Sequence, residues 1–120
     1  MYTMYWYPKC STCKKAAKHL ENKGIVPEFI DIKENPPKAS QLQTWMEQSE
    51  LPIRRFFNTS GVKYKELHLK DKVDTLNMKD ACALLATDGM LIKRPILLKD
   101  GVLVSIGYKE DVYERLDAEW

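Results

Sequence analysis

The first 32 residues constrain the fold more than any other stretch of this chain. Tyr2 to Tyr7 is aromatic and uncharged, which reads as a buried strand. Pro8 and Lys9 end it. From Ser11 a helix is predicted: Cys13, Ala16, Ala17 and Leu20 recur at helical spacing while Lys14, Lys15 and Lys18 face out. Gly24 suits a left-handed helix cap. Ile25 to Ile32 then reads as a second strand, with Ile30 and Ile32 on one face and Phe29 on the other. A strand–helix–strand opening calls for a right-handed crossover and parallel pairing of its two strands.

The rest of the chain completes that start. A helix begins near Lys38, after the turn Glu34-Asn35-Pro36-Pro37, with Leu42, Trp45 and Met46 on its inner face. Pro52 to Leu69 reads as helical pieces and loops, with Trp45, Phe56 and Phe57 as core. Met78 to Thr87 is a helix stopped by Asp88-Gly89. Ile96 to Leu98 and Val102 to Val104, joined through Lys99-Asp100-Gly101, carry a strong hairpin signal. Gly107 turns the chain into a last helix holding Val112 and Leu116. The expected fold class is α/β: a thioredoxin-like (glutaredoxin-like) four-stranded mixed sheet flanked by helices. A helical insertion over about 38–90 separates its two halves within one domain, 1–120.

Composition narrows the setting. At 120 residues, 44% hydrophobic and 30% charged, the chain suits one globular domain. A net charge of +2 gives no electrostatic footprint of a nucleic-acid-wrapping surface, so no direct nucleic-acid binding is expected. The start of the chain has no basic region before an apolar run, and no stretch approaches a membrane span, so a cytoplasmic location is expected. Three cysteines without an export signal argue against a structural disulfide framework.

Two of those cysteines carry the chemistry. Cys10 falls at the strand-to-helix turn, where free backbone N–H groups and the helix dipole favour a thiolate; Lys9 and Lys14 add positive potential. Cys13, one turn on, can attack a mixed disulfide on Cys10, so Cys10 is the candidate nucleophile and Cys13 the resolving thiol. Two blander readings stand beside this one. A zinc site would need two more ligands, and Cys82, His19 and His68 lie at no zinc-like spacing. A structural pair of buried cysteines would not need a helix start. Arg94-Pro95, before the third strand, is the second feature. The arginine can pair with an oxyanion or hold the thiolate. A cis bond at Pro95 would present the preceding backbone to a substrate opposite the cysteine turn. The alternatives are a solvated arginine and an ordinary strand-starting proline. Arg54 and Arg55 could join Arg94 in an anion site, although neighbouring helical charges usually point to solvent. Cys82 reads as packed core.

Four segments then show a likeness. Tyr7-Pro8-Lys9-Cys10-Ser11-Thr12-Cys13-Lys14-Lys15-Ala16, Glu34-Asn35-Pro36-Pro37, Lys93-Arg94-Pro95-Ile96-Leu97 and Val104-Ser105-Ile106-Gly107-Tyr108 resemble, in order and spacing, the ArsC/Spx family. That family comprises glutaredoxin-coupled arsenate reductases and the Spx thiol-stress regulators. The resemblance implies an external thiol reductant, such as glutathione/glutaredoxin or thioredoxin, and no bound cofactor. Arsenate reductases of this type use a single cysteine at the Cys10 position and three arginines. Arg94 matches one of these, while the others fall near Asn58 and Gly107. Two missing charge-assisted donors, each worth ~1.5–3 kcal/mol, argue against arsenate as the substrate. The Spx branch implies a Cys10–Cys13 disulfide switch with Arg94 responding to it, and RNA polymerase α-subunit as partner. The longer C-terminal tail typical of that branch has no counterpart in a chain ending at Trp120. The expectation is a thiol–disulfide oxidoreductase with a redox partner, and the alternative an Spx-like regulator.

Overall fold

The structure, a computed structural model, describes residues 1–118; the last two positions of the expected 1–120 domain lie outside the described residues. Its elements in chain order are β1 (Tyr2–Trp6), α1 (Ser11–Asn22), β2 (Glu28–Asp31), α2 (Ala39–Ser49), α3 (Val62–Glu66), α4 (Met78–Ala86), β3 (Ile96–Lys99), β4 (Val102–Ile106) and α5 (Glu110–Glu114). Short 3-10 turns lie at Ile53–Phe56, Leu69–Asp71, Val73–Thr75 and Gly89–Leu91. The chain divides into two compact units, one formed by Met1–Asp31 with Arg94–Trp120 and the other by Ile32–Lys93. No helix among the described residues is long and apolar enough to cross a membrane.

The first unit is a mixed four-stranded sheet in the order β2-β1-β3-β4 with flanking helices. β1 pairs parallel with β2, Met4 opposite Phe29, and antiparallel with β3, Met4 opposite Leu97. The parallel pair is what the strand–helix–strand opening requires. β2 is shorter than expected, because Pro27 has no N–H to give a ladder and the strand begins only at Glu28. The predicted hairpin forms, with Asp100 and Gly101 both at positive φ (51° and 81°), the twist that a two-residue connection demands. A shift of register between Leu97 and Leu98 marks a bulge against β4.

One face of this sheet carries a closed apolar core of Tyr2, Met4, Ala16, Leu20, Ile25, Leu97 and Tyr113. α1 contributes through Ala16 and Leu20, both fully buried; it ends through the Ile25 N–H donating to the Leu20 carbonyl at 2.9 Å, with Gly24 at φ 76°. α5 differs from expectation. It stops at Glu114, so Leu116 packs against the core from beyond the helix, and Tyr113 is the fully buried residue. A polar clamp ties α1 to the chain after β4. His19 Nδ1 lies 2.7 Å from the Tyr108 hydroxyl, and Nε2 lies 2.7 Å from the Glu114 carboxylate. A carboxylate only accepts, so Nε2–H donates to Glu114, while Nδ1 shares its hydrogen bond with the Tyr108 hydroxyl. Lys23 adds a bond from Nζ to the Glu114 carbonyl at 2.7 Å.

The second unit is helical. α2 buries Leu42, Trp45 and Met46, and α4 buries Ala81, Cys82 and Leu85. At the start of α2, the Lys38 N–H donates to the Gln41 side chain at 2.9 Å; at the start of α4, the Asp80 N–H donates to Asn77 at 2.8 Å. Phe56 and Phe57 are buried as expected, and the Phe57–Ile92 bridge fastens that stretch to the end of the unit. Gly89 fits where no larger residue would: a Cβ there would sit 1.9 Å from the Ile32 carbonyl oxygen.

Candidate functional site

Local backbone geometry sets Cys10 where a thiolate is favoured. The turn from Tyr7 closes with the Cys10 N–H donating to the Tyr7 carbonyl at 2.9 Å, and the Lys14 N–H opens the helix by donating to the Cys10 carbonyl at 3.0 Å. Cys10 is the N-cap of α1, extended at φ −87°, and half-buried. Cys13 lies one turn further in and is fully buried. All three cysteines are free thiols.

The two thiols of the motif are driven in opposite directions. Burial alone would raise the Cys10 pKa, but the backbone N–H of Cys13, the Cys13 thiol, the Arg94 guanidinium and the backbone N–H of Thr12 together outweigh it. The Cys10 pKa therefore falls below its ordinary value. No side-chain hydrogen bond of standard geometry caps α1; the N–H groups act as oriented dipoles facing the sulfur. Burial pushes Cys13 up to about 12, aided by its position against Cys10 and opposed by the Tyr7 backbone and Arg94.

Arg94 is thus placed at the cysteine turn. Its guanidinium also lies over the Tyr7 ring, 5.6 Å from the centroid, which gives the cation a fixed seat. The Arg94–Pro95 bond is cis, and the Pro95 carbonyl accepts from the Gly107 N–H at 2.8 Å. Lys9 and Lys14 are exposed and screened, so the leading positive charge acting on Cys10 is that of half-buried Arg94.

The remaining candidates find other places. Arg54 is engaged by Asp74, from Nε at 3.2 Å and from a terminal nitrogen at 2.6 Å, and Arg55 is exposed. Cys82 is core, its sulfur 3.5 Å from that of Met46, and burial raises its pKa. Among the described residues no three His, Cys, Asp or Glu side chains form a group that could hold a metal. Two residues of this region escape a reading of the sequence. Tyr7 reads as the end of a strand, and its role as the seat of Arg94 spans 87 positions. Tyr113 gives no sign of its burial; its hydroxyl has no hydrogen-bond partner among the described residues, and burial, Cys13 and Tyr108 all raise its pKa.

With this geometry established, the ArsC family model matches residues 5–116. The chain belongs to the ArsC family. Among ArsC-family relatives, the uncharacterized protein YusI of Bacillus subtilis is 51% identical over 113 residues, covering 94% of this chain and 95% of its own. The global transcriptional regulator Spx 1 of Oceanobacillus iheyensis is 28% identical over 115 residues, 96% of this chain and 86% of its own. The crystal structure of a Streptococcus mutans protein described as a possible arsenate reductase is 52% identical. It superposes with a TM-score of 0.86, over 91% of this chain and 92% of that one. The fold is accordingly the thioredoxin-like α/β fold of the ArsC family, with its mixed four-stranded sheet and flanking helices.

Proposed function

We propose that this ArsC-family chain is a cytoplasmic thiol–disulfide oxidoreductase in which Cys10 attacks and Cys13 resolves. The observation that carries the reading is the pairing of a half-buried Cys10 at the head of α1, beside Arg94, with a fully buried Cys13 one turn below it. The Cys10 thiolate attacks one sulfur of a substrate disulfide, forming a mixed disulfide; the other sulfur leaves and takes up a proton. Cys13 then gives up its proton and attacks the Cys10 sulfur, the Cys10–Cys13 bond forms, and the second substrate thiol departs. Two protein thiols are oxidised and one disulfide is reduced. An external thiol, of the glutathione/glutaredoxin or thioredoxin kind, returns the pair to its reduced state. Arg94 stabilises the attacking thiolate or an anionic group of the substrate.

Arsenate fits this site poorly. By motif alignment, two of the three arginines of arsenate reductases fall near Asn58 and Gly107, so that of the three only Arg94 has a match here. Reductant-coupled turnover of a disulfide, compared with turnover of arsenate, tests the assignment. Disulfide turnover lost in Cys10→Ser supports it, and no turnover above that variant's background removes it.

The likeness to Spx 1 over 96% of the chain favours a second reading, a regulator whose Cys10–Cys13 oxidation changes a surface that RNA polymerase α-subunit reads. Capture by the C-terminal domain of that subunit, tried with oxidised and reduced protein, decides this. Absence of binding in both states eliminates it.

A further inference from the structure

The lysines around the cysteine turn remain unused by the chemistry above. Lys9 precedes Cys10 directly, and Lys14, Lys15 and Lys18 follow on the exposed side of α1. Stability does not explain them. Lys14 and Lys15 stand near the positive end of the helix dipole, in a helix with no acidic residue in its first turn. Lys14 and Lys18, four apart on one face, repel each other. Nor are they the leading charge on the Cys10 thiolate, which is that of Arg94.

Lys14, Lys15 and Lys18 line one wall of an open groove in the first unit; Glu110, Asp111 and Glu114 of α5 line the other. On the acidic wall, Glu114 binds His19 at 2.7 Å and Lys23 at 3.8 Å, Asp111 reaches Arg115 at 3.9 Å in an exposed pair of small worth, and Glu110 makes no ion pair among the described residues. On the basic wall, Lys18 reaches Glu21 at 3.4 Å, an exposed pair of small worth. Lys9, Lys14 and Lys15 make no ion pair among the described residues.

We infer that Lys9, Lys14, Lys15 and Lys18 form a docking surface for an acidic protein segment flanking the disulfide that Cys10 attacks. The inference rests on the reading of Cys10 as the nucleophile and names the charge of its partner. Opposite charge on the incoming segment raises encounter with the Cys10 turn and orients the sulfur toward it; like charge repels it.

The test uses three synthetic peptides, each with one cysteine joined to 2-thiopyridine as a mixed disulfide and flanked by Glu, by Ser or by Lys. Reduced full-length protein attacks the peptide sulfur, the Cys10–peptide disulfide forms, and pyridine-2-thiolate leaves and is protonated to thiopyridone, whose absorbance reports the rate. At low salt the Glu-flanked peptide should react about tenfold faster than the Lys-flanked one, and the ratio should shrink toward one at about 0.5 M salt. Replacing Lys9, Lys14, Lys15 and Lys18 together by Gln should bring the low-salt ratio near one, with Arg94 still in place. Circular dichroism verifies that the variant folds, and Lys14→Gln with Lys15→Gln alone, which should lower the ratio in part, serves if it does not. Equal rates for the acidic and basic peptides on the unaltered protein, or a preference that survives the lysine replacements, would overturn the docking surface. Release from the neutral peptide in either case leaves the Cys10 assignment standing. No release from any of the three removes that assignment, and the docking surface with it.

Discussion

Three residues apart at the head of one helix, two chemically identical thiols are driven to opposite sides of the ordinary thiol pKa. The difference is one of position: Cys10 caps the helix among outward N–H dipoles and near Arg94, and Cys13 faces the apolar interior. An attacking thiol needs to be ionised near neutral pH, whereas a resolving thiol kept protonated by burial does not compete for the first attack. The alkylation rate of Cys10 should therefore titrate below the ordinary thiol range, far below Cys13, whose pKa is pushed up to about 12. Arg94→Gln should move the Cys10 profile toward higher pH. Alkylation at neutral pH should then slow, by up to about tenfold for every pH unit that the profile moves. Superimposable pH profiles for the two proteins would show that Arg94 does not act on the thiolate. Arg94→Lys keeps the charge but loses the planar group that lies over Tyr7, so its profile should fall between the two.

At the scale of elements, small local devices fix where helices begin and where segments meet. Asn77→Ala removes the acceptor at the head of α4 and should cost about 1 kcal/mol, read as a lower urea midpoint at unchanged m. Gly89→Ala should cost about 1–3 kcal/mol or more, because the added carbon meets the Ile32 backbone rather than a side chain that can swing away. A midpoint within error of the parent protein would mean that the Gly89 turn yields freely. Most elements are legible in the sequence because each declares itself locally: helical spacing in α1, α2 and α4, positive-φ residues at Gly24 and Asp100-Gly101, and the hairpin between apolar runs. The cysteine turn is legible for the same reason. Pro27 delays β2 by withholding a donor, and α5 ends before Leu116, with Tyr113 its buried residue. Other features that the sequence hides have non-local causes. The Tyr7–Arg94 contact and the Tyr108–His19–Glu114 clamp join residues more than 80 positions apart, which no local pattern records. Lys9 and Lys14 are visible in the sequence as positive potential beside Cys10, whereas the leading charge there, that of Arg94, is set by the fold.

For the whole molecule, buried groups that resist ionisation link stability to pH. Cys13, Cys82 and Tyr113 all have raised pKa values, so above an unfolded thiol pKa of about 8.5 the unfolded chain loses protons that the folded chain keeps. The unfolded state then binds fewer protons, and stability must fall as pH rises, approaching ~1.4 kcal/mol per pH unit for each fully differing group. Cys10 works the other way: its lowered pKa contributes stability that is present above the unfolded value and lost as pH falls through the folded one. Urea midpoints of the reduced protein should decline from about pH 9 upward, and Cys13→Ser should decline less steeply. Equal slopes would mean that Cys13 ionises freely in the fold. The division of labour between the two cysteines is tested most directly by mass spectrometry of reduced protein mixed with oxidised glutathione. The unaltered chain should end as the Cys10–Cys13 disulfide, Cys13→Ser should stop with one glutathione on Cys10, and Cys10→Ser should gain none at the motif. An adduct trapped on Cys13 instead, or no adduct on Cys10 in Cys13→Ser, would contradict the account.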